Sequence, residues 1–230
     1  MILPRVNFDT EELVLQSFDA IANQFANNIC LQINDAQYRI VDFEFYVYSD
    51  AFPDPHTHQN SLQLEAGRLY VHNSGVDITL GGGTNYAGIL LRSIIKLYDG
   101  VGKESGFMEK QIEGPQAVST ELFSNIYSLE DNRANEIALR DLNDSDLGAN
   151  LDPALRVLKT KRIGLTPKAE DKVSYYLNLP IRYITILPKY PNFKQSLKGI
   201  ENIIGEYVKS GQIKDEEEII KILGYKRNFG

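Results

Sequence analysis

The chain has 230 residues, 43% of them hydrophobic and 24% charged, with a formal charge of −7. That length supports one full-sized core, and the composition excludes disordered, collagen-like and disulfide-built classes. The acidic balance speaks against a protein that grips nucleic acid over its whole surface, because phosphate binding needs a locally positive face. The single cysteine, Cys30, excludes an internal disulfide and a cysteine-based zinc knuckle, and suits a reducing compartment. The N-terminal Met-Ile-Leu-Pro-Arg-Val-Asn-Phe has no basic flank leading into an apolar stretch, and no later window is long enough to span a bilayer. A cytoplasmic protein with no membrane association is therefore expected.

Asp9 followed by Glu12 has capping-box spacing, and Leu13, Phe18, Ile21, Phe25 and Ile29 approximate a helical stripe, which predicts a helix from Asp9 to about Ile29. From Tyr38 to Tyr48 the pattern alternates, with Phe43, Phe45 and Val47 on one strand face and Asp42, Glu44, Tyr46 and Tyr48 on the other. Arg68 to His72 and Val76 to Leu80 read as a hairpin around Asn73-Ser74-Gly75, and Ile89 to Leu97 as a central strand carrying Arg92. Pro115 at a first helical position starts a helix over 116–127, and the polar stretch 128–150 reads as loops around a short helix near Ala134 to Leu139. Arg156 to Gly164 and Ile181 to Leu187 read as strands. After Pro188 and Pro191, the patterns over 193–209 and 215–223 are helical, the last opening on Asp215-Glu216-Glu217-Glu218. These patterns divide the chain into a main domain over 1–188 and a helical extension over 189–230.

All three histidines, His56, His58 and His72, lie between Asp42 on an acid-bearing strand and Arg92 on the next long one. Glu44 sits mid-strand among aromatics, where an unpaired carboxylate is costly, so it is either functional or paired with Arg92 or Arg68. Asp42 and Asp77 are candidates to orient their neighbours. His56-Thr57-His58 projects two imidazoles the same way, which Asp54 or His72 could complete as a metal set. Histidines that stack or hydrogen-bond are the plainer outcome, and no metal or cofactor is expected. Gly81-Gly82-Gly83 lacks the lysine and helix of a P-loop and reads as a turn. Arg156, Lys159, Lys161 and Arg162 form a basic run with no acid between them, a candidate phosphate path.

Five segments in fixed order carry a resemblance: Arg39-Ile40-Val41-Asp42-Phe43-Glu44-Phe45-Tyr46, Gly67-Arg68-Leu69-Tyr70-Val71-His72, Gly88-Ile89-Leu90-Leu91-Arg92-Ser93, Gly114-Pro115, and Arg162-Ile163-Gly164 followed by Pro180-Ile181-Arg182-Tyr183. Together, over about residues 17–187, they resemble the 3-methyladenine DNA glycosylases of the alkyladenine type. The resemblance implies an α+β fold: a single domain on a curved, mainly antiparallel sheet with flanking helices, followed here by a C-terminal helical appendage. It also implies roles. Glu44 matches the carboxylate that activates water against the sugar carbon bearing a damaged purine, and Arg92 matches the arginine that positions that water. Tyr46 matches one wall of the base-stacking slot, His56 or His58 the opposite wall, and His72 a stacking tyrosine. The chain departs from the family at the hairpin tip, where Asn73-Ser74-Gly75 replaces a bulky wedge, and at Gly81, near where the family has a base-screening asparagine. Three functions follow: hydrolysis of an N-glycosidic bond in DNA or a nucleobase-containing small molecule, nucleobase binding without chemistry, and a metal-dependent hydrolase. The terminal helices are a candidate surface for a protein partner.

Overall fold

A computed structural model of the chain describes residues 3–98, 110–142, 155–167, 171–186, 200–223 and 225–229. Helix α1 runs over Glu11–Asn27 and is capped by Thr10, whose Oγ1 accepts the Leu13 N–H. The Asp9 cap read from the sequence is thus displaced by one residue, the hydroxyl of Thr10 standing at the position from which a side chain reaches the third helical amide. The helix stops at Asn28 because Ile29–Ile33 leaves to form strand β1, so Ile29 belongs to a strand rather than to the helical stripe.

Strand β2, Ala36–Tyr48, follows a tight turn in which Asn34 takes the left-handed conformation (φ 50°) that asparagine tolerates better than most residues. Then come a 3-10 turn at Ser61–Leu64, the hairpin β3 (Ala66–His72) and β4 (Gly75–Leu80), the long strand β5 (Tyr86–Tyr98), and β6 (Lys110–Glu113). Helix α2, Pro115–Ser124, has proline at its first turn, as expected. The helix expected near Ala134 to Leu139 is instead strand β7, Ile137–Asp141, which pairs along all of β1. Strand β8 (Val157–Thr160), helix α3 (Asp171–Asn178, not anticipated) and β9 (Arg182–Thr185) complete this part.

The strands form one curled antiparallel sheet of half-barrel shape with flanking helices, an α+β architecture. Its spatial order is β3-β4-β5-β2-β1-β7, with β6 on β5, β9 on β2 and β8 on β9. Two long strands make this possible. Along one edge β2 pairs first with β1 and then with β9, while its other edge follows β5 from end to end.

Phe43, Phe45 and Val47 share the core face with α1, as the alternation predicts. Phe18 stacks on Phe45 with ring centres 4.1 Å apart, Phe25 meets Phe43 edge-on at 5.5 Å, and Phe43 stacks on Tyr183 at 5.8 Å. This aromatic layer leaves the opposite face of β2 for Glu44 and Tyr46. Among the described residues, no helix is long and apolar enough to cross a membrane.

The chain divides into compact units over Met1–Thr185 and Ile186–Gly230. In the second, α4 (Ile200–Lys209) buries Ile200, Ile203 and Ile204, and ends before Gly211, whose φ of 71° suits a residue without a Cβ. Helix α5, Glu216–Leu223, starts at Asp215, whose carboxylate accepts the Glu217 N–H. The helical pattern over 193–199 lies outside the described residues.

Candidate functional site

Strand register places a polar row across the sheet. Tyr70 faces Asp77, Asp77 faces Leu90, Leu90 faces Glu44 and Glu44 faces Arg182, and directly opposed residues project to the same side. Glu44 is fully buried. One carboxylate oxygen accepts the Ile163 N–H at 3.0 Å; the other accepts the Tyr46 hydroxyl at 2.9 Å and Arg92 Nη1 at 3.2 Å. Burial pushes the Glu44 carboxyl above the ordinary carboxylate range, against the pull of the Arg92 charge and the Ile163 N–H, with Asp42 adding to the rise and Tyr46 opposing it.

Arg92 reaches Glu44 from a bulge. Asp42 pairs with Ser93 and Phe43 with Leu91, so Arg92 is the extra residue, and such insertions re-aim a side chain. Its Nε lies 3.9 Å from Asp42 and makes no hydrogen bond. Asp42 is instead committed to Arg182 through two parallel contacts of 2.9 and 2.7 Å. The two acids of β2 therefore differ: Asp42 sits in a closed bidentate pair, whereas Glu44 holds its arginine by one contact. Arg68, the other partner considered for Glu44, pairs with Glu65 at the surface.

Beside this group lies a pocket with about 360 Å³ of empty space, its open mouth included. Tyr46, His56, His58 and His72 all line it, so both histidines of the loop reach the cavity. His72 stacks on Tyr70 at 4.9 Å, and His58 stands edge-on to His72 at 4.5 Å with its Nδ1 3.3 Å from the Tyr70 hydroxyl. The Ser74 N–H donates to His72 Nδ1, which leaves the proton on Nε2, donated to Asp77 at 3.0 Å. Asp77 thus orients His72, and its other oxygen accepts from Gln63 at 3.3 Å. Gln63, Ser74, Leu90 and Leu165 complete the lining. Glu44 and Arg92 lie behind this wall. Tyr46 joins the two, its ring in the pocket and its hydroxyl on Glu44.

The basic run does not act together. Arg162 is buried: its Nη1 contacts Asp54 at 2.6 Å and the Phe45 carbonyl at 3.1 Å, Nη2 donates to the Tyr176 carbonyl, and the guanidinium lies 4.5 Å above the Tyr46 ring. Its expected role as a phosphate contact is therefore corrected to that of an internal brace, since the charge is spent on a buried carboxylate. Lys159 is exposed and paired with Asp19 at 2.5 Å, Lys161 is exposed, and Arg156 is half-buried. Asp54 in turn accepts the His56 backbone N–H at 3.1 Å, so the brace sets the histidine loop. Among the described residues no three His, Cys, Asp or Glu side chains are placed to hold a metal ion. Cys30 is buried, which pushes its thiol up to about 11.

Sequence reasoning passed over Gln63 and the partnerships of Arg162 and Arg182, and considered Asp54 only as a metal ligand, not as the partner of Arg162. Both arginines stand inside motifs that carried the resemblance, which was the available signal; nothing local marks Gln63.

No known family profile matches the chain. It is 26% identical over 221 residues to the uncharacterized protein L759 of Acanthamoeba polyphaga mimivirus, an alignment covering 84% of this chain and 96% of the viral one. The likeness thus spans nearly the whole viral protein, whose name carries no activity.

Proposed function

We propose that the chain recognises a purine base in the Tyr46–His72 pocket and hydrolyses its N-glycosidic bond, with Glu44 as general base and Arg92 as the group that positions water. The observation that carries this reading is the contrast within β2: a closed bidentate pair at Asp42, beside a carboxylate held by one guanidinium contact and lifted by burial toward the pKa range useful to a base. Tyr46 supports it by linking the pocket to that carboxylate. The β3–β4 turn carries only Asn73 and Ser74, short polar residues unsuited to wedging a duplex open, so the reading assigns the activity to unpaired nucleotides or free nucleosides.

The test is release of free base from alkylated and deaminated single-stranded oligonucleotides and from purine nucleosides. Wild type should turn over at least one of these substrates, and Glu44→Gln should lower the rate by a factor of about 100 or more while leaving binding in place. Turnover that survives the substitution removes Glu44 as the base. A second reading, a binding module of the same shape, draws on the full burial of Glu44 and its three donors. Tight retention of a purine with no turnover by wild type would select it.

A further inference from the structure

One pair of pocket residues, Asp77 and Gln63, takes no part in the chemistry above. Both are buried, at 3% and 1% exposure, and both line the cavity. Their hydrogen bonds fix what each can still offer. Gln63 Oε1 accepts the Asn60 N–H at 3.1 Å in a capping box, which turns its nitrogen toward Asp77; one N–H goes to Asp77 Oδ2 and the second remains. Asp77 Oδ1 accepts the His72 proton and Oδ2 the Gln63 proton. A carboxylate has about four acceptor positions, so roughly two stay open toward a ligand.

The backbone makes room for this pair. A Cβ on Gly88 would lie 2.9 Å from Asp77 Oδ2 and 3.1 Å from Gln63 Nε2, and one on Gly81 would lie 1.8 Å from the Gln63 carbonyl oxygen. A bare position in β5, Gly88, and another just past the end of β4, Gly81, therefore let a short 3-10 turn bring an amide against a strand carboxylate inside an aromatic cavity.

We infer that Asp77 and Gln63 form the edge-reading surface of the pocket, and that it selects a purine of the guanine type. One remaining N–H donor beside two carboxylate acceptor positions complements a ring edge that presents acceptor, donor, donor: O6, N1–H and the 2-amino group. A hypoxanthine ring lacks the last donor, and an adenine ring offers the carboxylate only its 6-amino group. Unmatched buried acceptors are costly, so the missing donor is felt as lost affinity. This inference rests on the nucleobase reading of the pocket but not on Glu44 being a base.

The experiment is equilibrium binding of guanosine, inosine and adenosine to the full chain, to Asp77→Asn and to Tyr46→Leu, each variant first checked by thermal melting. Wild type should bind guanosine at least about tenfold more tightly than inosine or adenosine. Asp77→Asn should bring the three within about twofold, because an amide cannot accept both donors. Tyr46→Leu should weaken all three alike and keep their ratios, because Tyr46 lines the cavity with its hydroxyl on Glu44 and bonds neither Asp77 nor Gln63. Equal binding of adenosine and guanosine by wild type, or an Asp77→Asn variant that keeps the guanosine preference, overturns the inference. Failure of all three nucleosides to bind would instead bring down the nucleobase reading and this inference together.

Discussion

Glu44 is held by three donors of different kinds, a guanidinium, a phenol and a peptide N–H, yet burial still lifts its pKa. The sign of the resulting pH dependence follows. A base works only when deprotonated, so kcat/KM should rise with pH through a midpoint above the ordinary glutamate value of about 4.3. Because the folded carboxyl keeps its proton to higher pH than the unfolded one, stability should fall as pH rises through the same window, and Glu44→Gln should remove that slope. Rate and urea-denaturation series over pH check both; a midpoint at or below the ordinary value contradicts the burial argument. Glu44 was legible because a carboxylate stands out on an aromatic, alternating strand, and the histidines because all three fall between that strand and the one that carries Arg92. Their surroundings were not: Arg162 finds Asp54 across 108 residues, and Arg182 finds Asp42 across 140. Pairings at that separation leave no local pattern, so a run of basic residues looked like a surface when one of its members is internal.

At the scale of elements, the two faces of β2 have separate duties. Phe18 of α1 fills the core face by stacking on Phe45, while the pocket lies on the other side of the sheet. Phe18→Ala should therefore cost about 3–5 kcal/mol of stability by leaving a cavity, with nucleoside affinity unchanged at temperatures where the variant stays folded. Chemical denaturation and binding measured on one preparation check it, and a matched loss of affinity would mean that the faces are not independent. Long elements such as α1, β2 and β5 could be read from periodicity. β1 and β7 could not: Ile29 continues the helical stripe of α1, and the Ala-Leu-Arg content of β7 favours helix locally. Pairing between β1 and β7 decides both, which is tertiary context overriding propensity.

For the whole molecule, charge sets the terms on which nucleic acid could approach. The chain carries seven excess negative charges, and Arg162 and Lys159 of its one long basic run are engaged by Asp54 and Asp19. Binding of a single-stranded oligonucleotide should then rest on the pocket rather than on many phosphate contacts. The logarithm of its affinity should fall against the logarithm of salt concentration with a slope no steeper than about −1.5, corresponding to about two phosphates. A slope of about −4 or beyond would point to an extended phosphate track that the proposal omits. The α+β class and the antiparallel sheet were expected from the resemblance carried by the five motifs, whereas alternation by itself gave only single strands and the β3–β4 hairpin. The closing of β9 onto β2, which completes the surroundings of Glu44, depends on a return of the chain that no local pattern announces.

The segment Arg162-Ile163-Gly164 gives adjoining residues different tasks. The Arg162 side chain grips Asp54 beneath the histidine loop, the Ile163 amide holds Glu44, and Gly164 turns away with a φ of 79°. Two consecutive residues thus connect the loop that lines the pocket to the Glu44 carboxylate. A shift of the histidine loop would therefore be felt, through Asp54 and Arg162, at the amide that holds Glu44.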